Sequence, residues 1–258
     1  MMSVIGTIVA ALVMSAAPVT LPPTGGVADY QLGGAYPPAA SVQVVTRDRT
    51  DAPAAGRYNL CYVNSFQTQP GRLRWWKKKH PTLLLRDSRG RLVRDPGWPD
   101  EVLLDIRTST KRAALGRINR AWYRQCARKG FDAVEPDNLD SWTRSRGRLK
   151  QRHAISYAKR LVREAHRQGL AIAQKNAPQL SRKRLGFDLA VAEECEVYRE
   201  CGSYTRYYGT RLIEIEYTDN GRRAFRRACA ARAGRASILL RDRDVVPAGT
   251  AGYVSRSC

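Results

Sequence analysis

Histidine is scarce in this chain: His80, His153 and His166 are the three in 258 residues, and none of the six cysteines stands in a Cys-x-x-Cys pair. Metal sites of ordinary ligand spacing draw on those residue types, so no metal is expected. No Gly-x-Gly-x-x-Gly or Gly-x-x-x-x-Gly-Lys loop opens a helical pattern, which argues against the common nucleotide folds and leaves no cofactor to expect. Acidic residues are few as well, 23 against 45 Lys and Arg, for a net charge of +22. A field of that sign attracts anionic polymers in general. The arginines are spread through nearly every segment, however, and the one compact basic run is 74–79. Scattered charge of this kind reads as a solvated surface, with an anionic cell-wall polymer as a partner and no nucleic acid expected.

Long apolar runs are missing too. Residues 4–13 form an apolar stretch too short for a stable membrane anchor. With Ser15, Ala16 and Ala17 behind it, the stretch reads as the core and cleavage region of a secretory signal peptide cut near Ala17, although no Lys or Arg precedes it. A Pro/Gly linker follows at 21–26, so 1–26 reads as leader and linker and 27–258 as the folded body of a secreted or cell-surface protein. An even number of cysteines agrees with an oxidising compartment and allows fifteen pairings. Cys195 and Cys201 are close enough to clip one loop, and Cys258 can tie the tail back to Cys229. A monomer is the expected state.

What the chain does have is alternation. Short β-rich runs recur at 29–32, 42–46, 58–64, 102–106, 131–134, 170–174, 189–192, 212–217 and 237–240. Between them lie helical patterns. In 111–129, Leu115, Ile118, Trp122 and Cys126 fall three and four apart, and Gly130 can supply a left-handed stop. Ala154, Ala158, Leu161 and Ala165 make a second stripe, ended by Gly169. Helix, glycine, buried strand is the sequence form of an α/β unit. Eight or so such units in a chain of this length predict an α/β fold, a (β/α)8 TIM barrel of one domain with room for one extra strand.

Barrel active sites form where strands end, and the strand ends here turn polar in a regular way. They carry Gln31, Arg47 and Asp48, Asn64, Asp105 and Arg107, Asp137 and Asn138, Lys175 and Asn176, Glu193 and Glu194, then Glu216 and Tyr217. Trp142, Tyr36 and Trp98 are candidates for an aromatic rim. The densest cluster is 130–142, where a strand pattern breaks at Pro136 and Asp132, Glu135, Asp137 and Asp140 crowd together. Carboxylates at close range raise one another's pKa, and divergent values are what acid/base chemistry at oxygen requires.

The pieces Tyr30-Gln31-Leu32, Cys61-Tyr62-Val63, Leu104-Asp105-Ile106, Gly-Phe-Asp-Ala-Val-Glu-Pro-Asp-Asn, Lys175-Asn176, Glu193-Glu194-Cys195, Glu200-Cys201 and Glu216-Tyr217 follow in an order that resembles the endo-α-1,4-polygalactosaminidase family of glycoside hydrolases. The resemblance implies a (β/α)8 barrel that hydrolyses α-1,4-linked galactosamine-containing polysaccharide. It implies Asp137 as nucleophile and Glu193 as acid/base in a two-carboxylate, retaining mechanism. Glu194 holds a position that is often an amide in the family, so the choice between the two glutamates stays open. Gln31, Asp48, Asn64, Asp105, Glu135, Asn138, Trp142, Lys175, Asn176, Glu194, Glu216 and Tyr217 are the expected substrate-binding residues. The alternative reading is a cationic polysaccharide- or wall-binding barrel that has lost catalysis.

Overall fold

The computed structural model describes residues 19–258. The expected leader at 4–17 lies outside the described residues. Eight strands run parallel in sequence order: β1 (Ala28–Gln31), β2 (Val44–Asp48), β3 (Tyr58–Asn64), β4 (Ala133–Asp137), β5 (Ala171–Lys175), β6 (Leu189–Glu193), β7 (Leu212–Tyr217) and β8 (Ser237–Arg241). A short β9 (Ser255–Ser257) pairs antiparallel with β8. Because β1 also lies against β8, the sheet curls into a nearly closed TIM-like barrel.

Period-two alternation sorts each strand into an inner and an outer face. Ala28, Tyr30, Leu60, Ala133, Ala171, Ala173, Leu189, Val191, Ile213, Ile215 and Leu239 fill the interior. The alternate residues Cys61, Val63, Val134 and Ile172 pack outward against the helices. Full burial of a leucine or isoleucine contributes about 1.5–3 kcal/mol. Val19 packs against the interior cluster, and the Tyr58 hydroxyl donates to the Thr20 carbonyl.

The helices follow the expected stripes. In α2 (Ser109–Lys129) the Thr108 side chain caps the first turn, and Gly130, at φ 93°, ends it in the left-handed region where glycine carries no Cβ penalty. Ala154, Ala158, Leu161 and Ala165 are the buried stripe of α4 (Gln151–His166). Two shorter helices, α1 (Leu73–Lys79) and α3 (Ser141–Arg144), precede α2 and α4 respectively, and α5 (Gly202–Tyr208) and α6 (Arg223–Arg232) cover the later strands.

Two expectations are corrected. Residues 102–106 are not a barrel strand: Val102, Leu103 and Leu104 form isolated antiparallel bridges with Arg94, Gln67 and Leu84 inside the long excursion 65–108. Their side chains are buried in the outer core, and an apolar run satisfies that site as well as a barrel site, so composition alone cannot choose the partner. The chain also does not break at Pro136. β4 continues to Asp137, and the missing proline N–H costs little because the β4–β5 ladder has already ended at Val134 and Ile172.

Three disulfides join Cys61 to Cys126, Cys195 to Cys201 and Cys229 to Cys258. The last two are the pairings suggested by spacing. The first fastens β3 to α2 across the long excursion.

Candidate active site

β4, β5 and β6 each end on a charged residue of the inward-facing set: Asp137, Lys175 and Glu193. Each is followed at once by a non-glycine residue at positive φ, Asn138 at 69°, Asn176 at 49° and Glu194 at 60°. The left-handed residue turns the chain sharply away and leaves the last strand side chain at the mouth of the barrel. Asparagine enters that region at low cost, whereas glutamate needs its neighbours to hold it there.

Lys175 is the centre of the network. Its Nζ lies 2.8 Å from Glu135 Oε1, 3.4 Å from Glu193 Oε1 and 2.7 Å from the Tyr30 hydroxyl. Tyr30 also donates to Glu135 Oε1 at 2.6 Å. Burial pushes the Lys175 ammonium down, but the Asp137, Glu135 and Glu193 carboxylates more than offset it and hold the group well above its ordinary value. Lys175 is therefore a fixed cation.

The carboxylates around it differ. Glu135 is fully buried, and among the described residues its Oε2 has no hydrogen-bond partner. Burial raises its pKa against the pull of Lys175. Glu193 keeps 23% of its side chain exposed. It accepts from the Tyr217 hydroxyl at 2.5 Å and from Asn176 Nδ2 at 2.8 Å, while its own N–H donates to Asn176 Oδ1 at 2.8 Å. Burial favours the acid form of Glu193, but Lys175, Tyr217 and Asn176 outweigh it and hold the pKa below the usual glutamate value. Asp137 is part-exposed and accepts from the Tyr62 hydroxyl at 2.7 Å and from the Asn138 N–H at 2.6 Å. Burial raises the pKa values of Tyr30, Tyr62 and Tyr217 well above the phenol range, so all three remain donors.

A second layer fixes the turn after Asp137. Asn138 Nδ2 donates to Asn64 Oδ1, and Asn64 Nδ2 donates to Glu101 Oε2. Arg144 reaches Asn138, Asp140 and Asp95 together. Burial pushes the Glu101 carboxyl up to about 7.

The network thus places two part-exposed carboxylates at the mouth of a barrel with a buried lysine beneath them, the kind of site that glycosidic chemistry uses. The model of glycoside-hydrolase family GH114 matches residues 10–258. The chain belongs to that family. No curated protein matches it by sequence. Among solved structures it is similar to Ega3 of Aspergillus fumigatus, crystallised with galactosamine, at 21% identity over 94% of this chain and 100% of that one, with a TM-score of 0.72. It is also similar to the glycoside hydrolase domain of PelA from Pseudomonas aeruginosa, at 14% identity over 87% of this chain and 97% of that one, with a TM-score of 0.62. At these identities the likeness is one of fold.

This GH114 barrel brings together Asp137, Glu193, Glu135, Lys175, Asn176, Tyr217, Asn138 and Asn64 from the residues named on sequence grounds. Others are held elsewhere. Glu216 has the outward parity of Leu212 and Glu214; it accepts from the Glu196 N–H, and burial pushes it up to about 7. Gln31 is fully buried and bonds Asp29 and Arg47. Asp48 accepts from Thr50 and Gln69. Asp105 is bound by Arg107 and Lys111 at the start of α2. Glu194 pairs with Arg243 at 2.6 Å and also accepts from Asn220. Trp142 packs part-buried against the outer core. Tyr36 donates to Asp29, and Trp98 is exposed. Sequence reasoning missed Tyr30, Tyr62 and Glu101 as members of the network. Counting back by two from Asn64 at the end of β3 reaches Tyr62 on the same face; Tyr30 is one before the end of β1, and Glu101 sits in the irregular excursion, so neither leaves such a signal.

Proposed function

We propose that this GH114 enzyme is a secreted monomer that hydrolyses an α-1,4-linked, galactosamine-containing polysaccharide by a retaining mechanism, with Asp137 as nucleophile and Glu193 as acid/base. The observation that carries the proposal is accessibility: of the inward carboxylates on β4 and β6, Asp137 and Glu193 reach solvent while Glu135 is sealed. The Asp137 carboxylate attacks the anomeric carbon as Glu193 gives its proton to the glycosidic oxygen, which leaves with the bonding pair. A glycosyl ester forms on Asp137. Glu193, now a carboxylate, takes a proton from water as the water oxygen attacks the anomeric carbon and frees Asp137.

Protonating Glu193 ahead of the first step costs its 3.4 Å contact with Lys175, the longer of the lysine's two carboxylate contacts. Because the Glu193 pKa is held low, the acid form fades before neutrality, and an acidic pH optimum is expected. The galactosamine found with Ega3 supports the substrate class. A net charge of +22 repels a fully deacetylated polymer, so a glycan with acetylated or acidic units suits this surface better. Three disulfides suit an oxidising compartment.

Incubation with a panel of acetylated, deacetylated and acidic glycans, with fragments identified by mass, tests the proposal. Oligosaccharides from a galactosamine-containing polymer are the expected result. The same net charge favours a second reading, a cationic wall-binding barrel without turnover. Tight binding with no fragments from any glycan establishes that reading and overturns the first.

A further inference from the structure

Next to the catalytic network, between the turn after β2, α1 and α2, is a cavity of about 190 Å³. Arg49, Arg72, Gln69, Trp75, Trp122 and Asn64 are among its lining residues. We propose that this cavity is a subsite for a carboxylate-bearing sugar unit of the glycan, with Arg49 and Arg72 holding the carboxylate and the tryptophans taking the apolar face of the ring. The inference rests on the polysaccharide-hydrolase reading and narrows it to a polymer that carries acidic units.

Arg49 is the main reason. It is only 9% exposed, yet among the described residues its guanidinium makes no hydrogen bond and no ion pair, and lies 4.7 Å over the Trp122 ring. Leaving a buried cation without an ion-paired carboxylate is costly, and burial lowers its pKa accordingly. The Asp48 carboxylate offsets this only in part and makes no direct contact with the guanidinium. Asp48 spends Oδ1 on the Thr50 N–H and hydroxyl and Oδ2 on Gln69 Nε2. Arg72 is exposed and also has no carboxylate partner among the described residues. Two guanidinium groups on one small cavity present planar donor forks that match a carboxylate and repel the ammonium of an amino sugar.

The aromatic wall is braced from behind. Trp75 is 37% exposed and meets Trp76 and His80 edge-on at 5.0 and 4.8 Å, which fixes it as a platform. Asn64 joins the cavity to the chemistry, because its Oδ1 accepts from Asn138, the residue directly after Asp137. That shared residue is the reason for assigning the occupant to the glycan chain that passes the nucleophile.

Calorimetric titration of the full chain carrying Asp137→Asn, with a galacturonic acid trisaccharide and with its methyl ester as probes, tests the subsite without turnover. The acid is expected to bind at least about tenfold more tightly than the ester, as loss of a hydrogen bond to a charged group implies. Adding Arg72→Gln, an exposed change that leaves the core untouched, is expected to weaken acid binding about tenfold and ester binding little. Arg49→Gln, with its melting temperature confirming the fold, should do the same. Arg182→Gln with Arg206→Gln removes two charges elsewhere and should change acid binding less than about twofold. Equal binding of acid and ester, or equal weakening by the remote pair, overturns the subsite. Failure of all glycan cleavage in the parent enzyme would instead remove the hydrolase reading, and the titrations would still decide whether the cavity takes an acid.

Discussion

Glu193 and Glu194 are neighbours in the chain and members of two different electrostatic regions. Glu193 looks into the barrel, where one buried lysine is shared between it and Glu135 and where its remaining contacts are neutral donors. Glu194 turns outward at the rim, where Arg243 lies between it and Asp219. The Arg243 guanidinium also covers the Tyr217 ring at 4.0 Å, so the same tyrosine has the arginine on its face and Glu193 on its hydroxyl. The difference lies in what each carboxylate can still do. Glu194 is engaged by arginine and amide in a strained backbone position, whereas Glu193 keeps solvent access and can exchange a proton by giving up one long contact.

Changes inside the barrel should therefore be severe and changes at the rim mild. Asp137→Asn is expected to lower turnover by more than about 10⁴-fold with the fold retained, and Glu193→Gln by about 10²–10⁴-fold, measured on the polymer identified in the glycan panel. An activated leaving group should restore much of the first step in the glutamine variant, since that step then needs no proton donor.

Lys175→Met attacks the shared cation itself. It leaves Glu135 buried and unpaired, and a loss of about 3–5 kcal/mol in denaturant unfolding is expected. The folded-state pKa of Glu193 is depressed, so its contribution to stability is present above the ordinary glutamate value and is lost as pH falls through the lower folded value. In the variant that acid-side loss should disappear, and the falling limb of the pH–activity profile should move to higher pH.

The disulfides hold the two regions unequally. Cys61–Cys126 closes a separation of 65 residues and anchors the strand that carries Tyr62, while Cys195–Cys201 closes 6 directly after Glu194. Paired serine replacements should cost about 4 and about 2 kcal/mol respectively in a chain-entropy account, read from unfolding curves.

Glu101 gives a subtler test. With its carboxyl pushed up to about 7, the folded chain binds a proton that the unfolded chain has already lost, so stability falls as pH rises from the ordinary glutamate value towards 7 and then levels. Glu101→Gln should flatten that slope while keeping the Asn64 contact. The smallest effect is expected from Glu194→Gln, less than about 1 kcal/mol in stability and little change in turnover, because a rim ion pair of this exposure is worth little. Loss of activity there, with Glu193→Gln active, would shift the acid by one residue.

Much of this arrangement could be read from the chain. The helix, glycine and strand order predicts the barrel because Gly130 and Gly169 are needed where the chain turns from α2 and α4 into β4 and β5. The strand-end rule finds Asp137, Lys175 and Glu193 because all three close their strands facing inward. It also picks up Gln31 and Glu216, which end or nearly end strands on the wrong parity, since polarity at a strand end says nothing about which face the side chain takes. The 102–106 segment misleads for a related reason: its apolar residues need burial, and the outer excursion supplies it as well as a barrel would. Tyr30 and Tyr62 escaped because a lone tyrosine in a strand reads as packing, and their roles depend on hydroxyl partners 105 and 75 residues away.

The division of labour between Asp137 and Glu193 is tested most directly by the adduct that accumulates when the Glu193→Gln variant meets an aryl α-galactosaminide with a good leaving group. Attack remains fast there and release by water is slow, so peptide mass mapping should find the glycosyl group on Asp137. A glycosyl group on Glu135 or Glu194, or steady turnover of the aryl substrate with no adduct, would contradict the account.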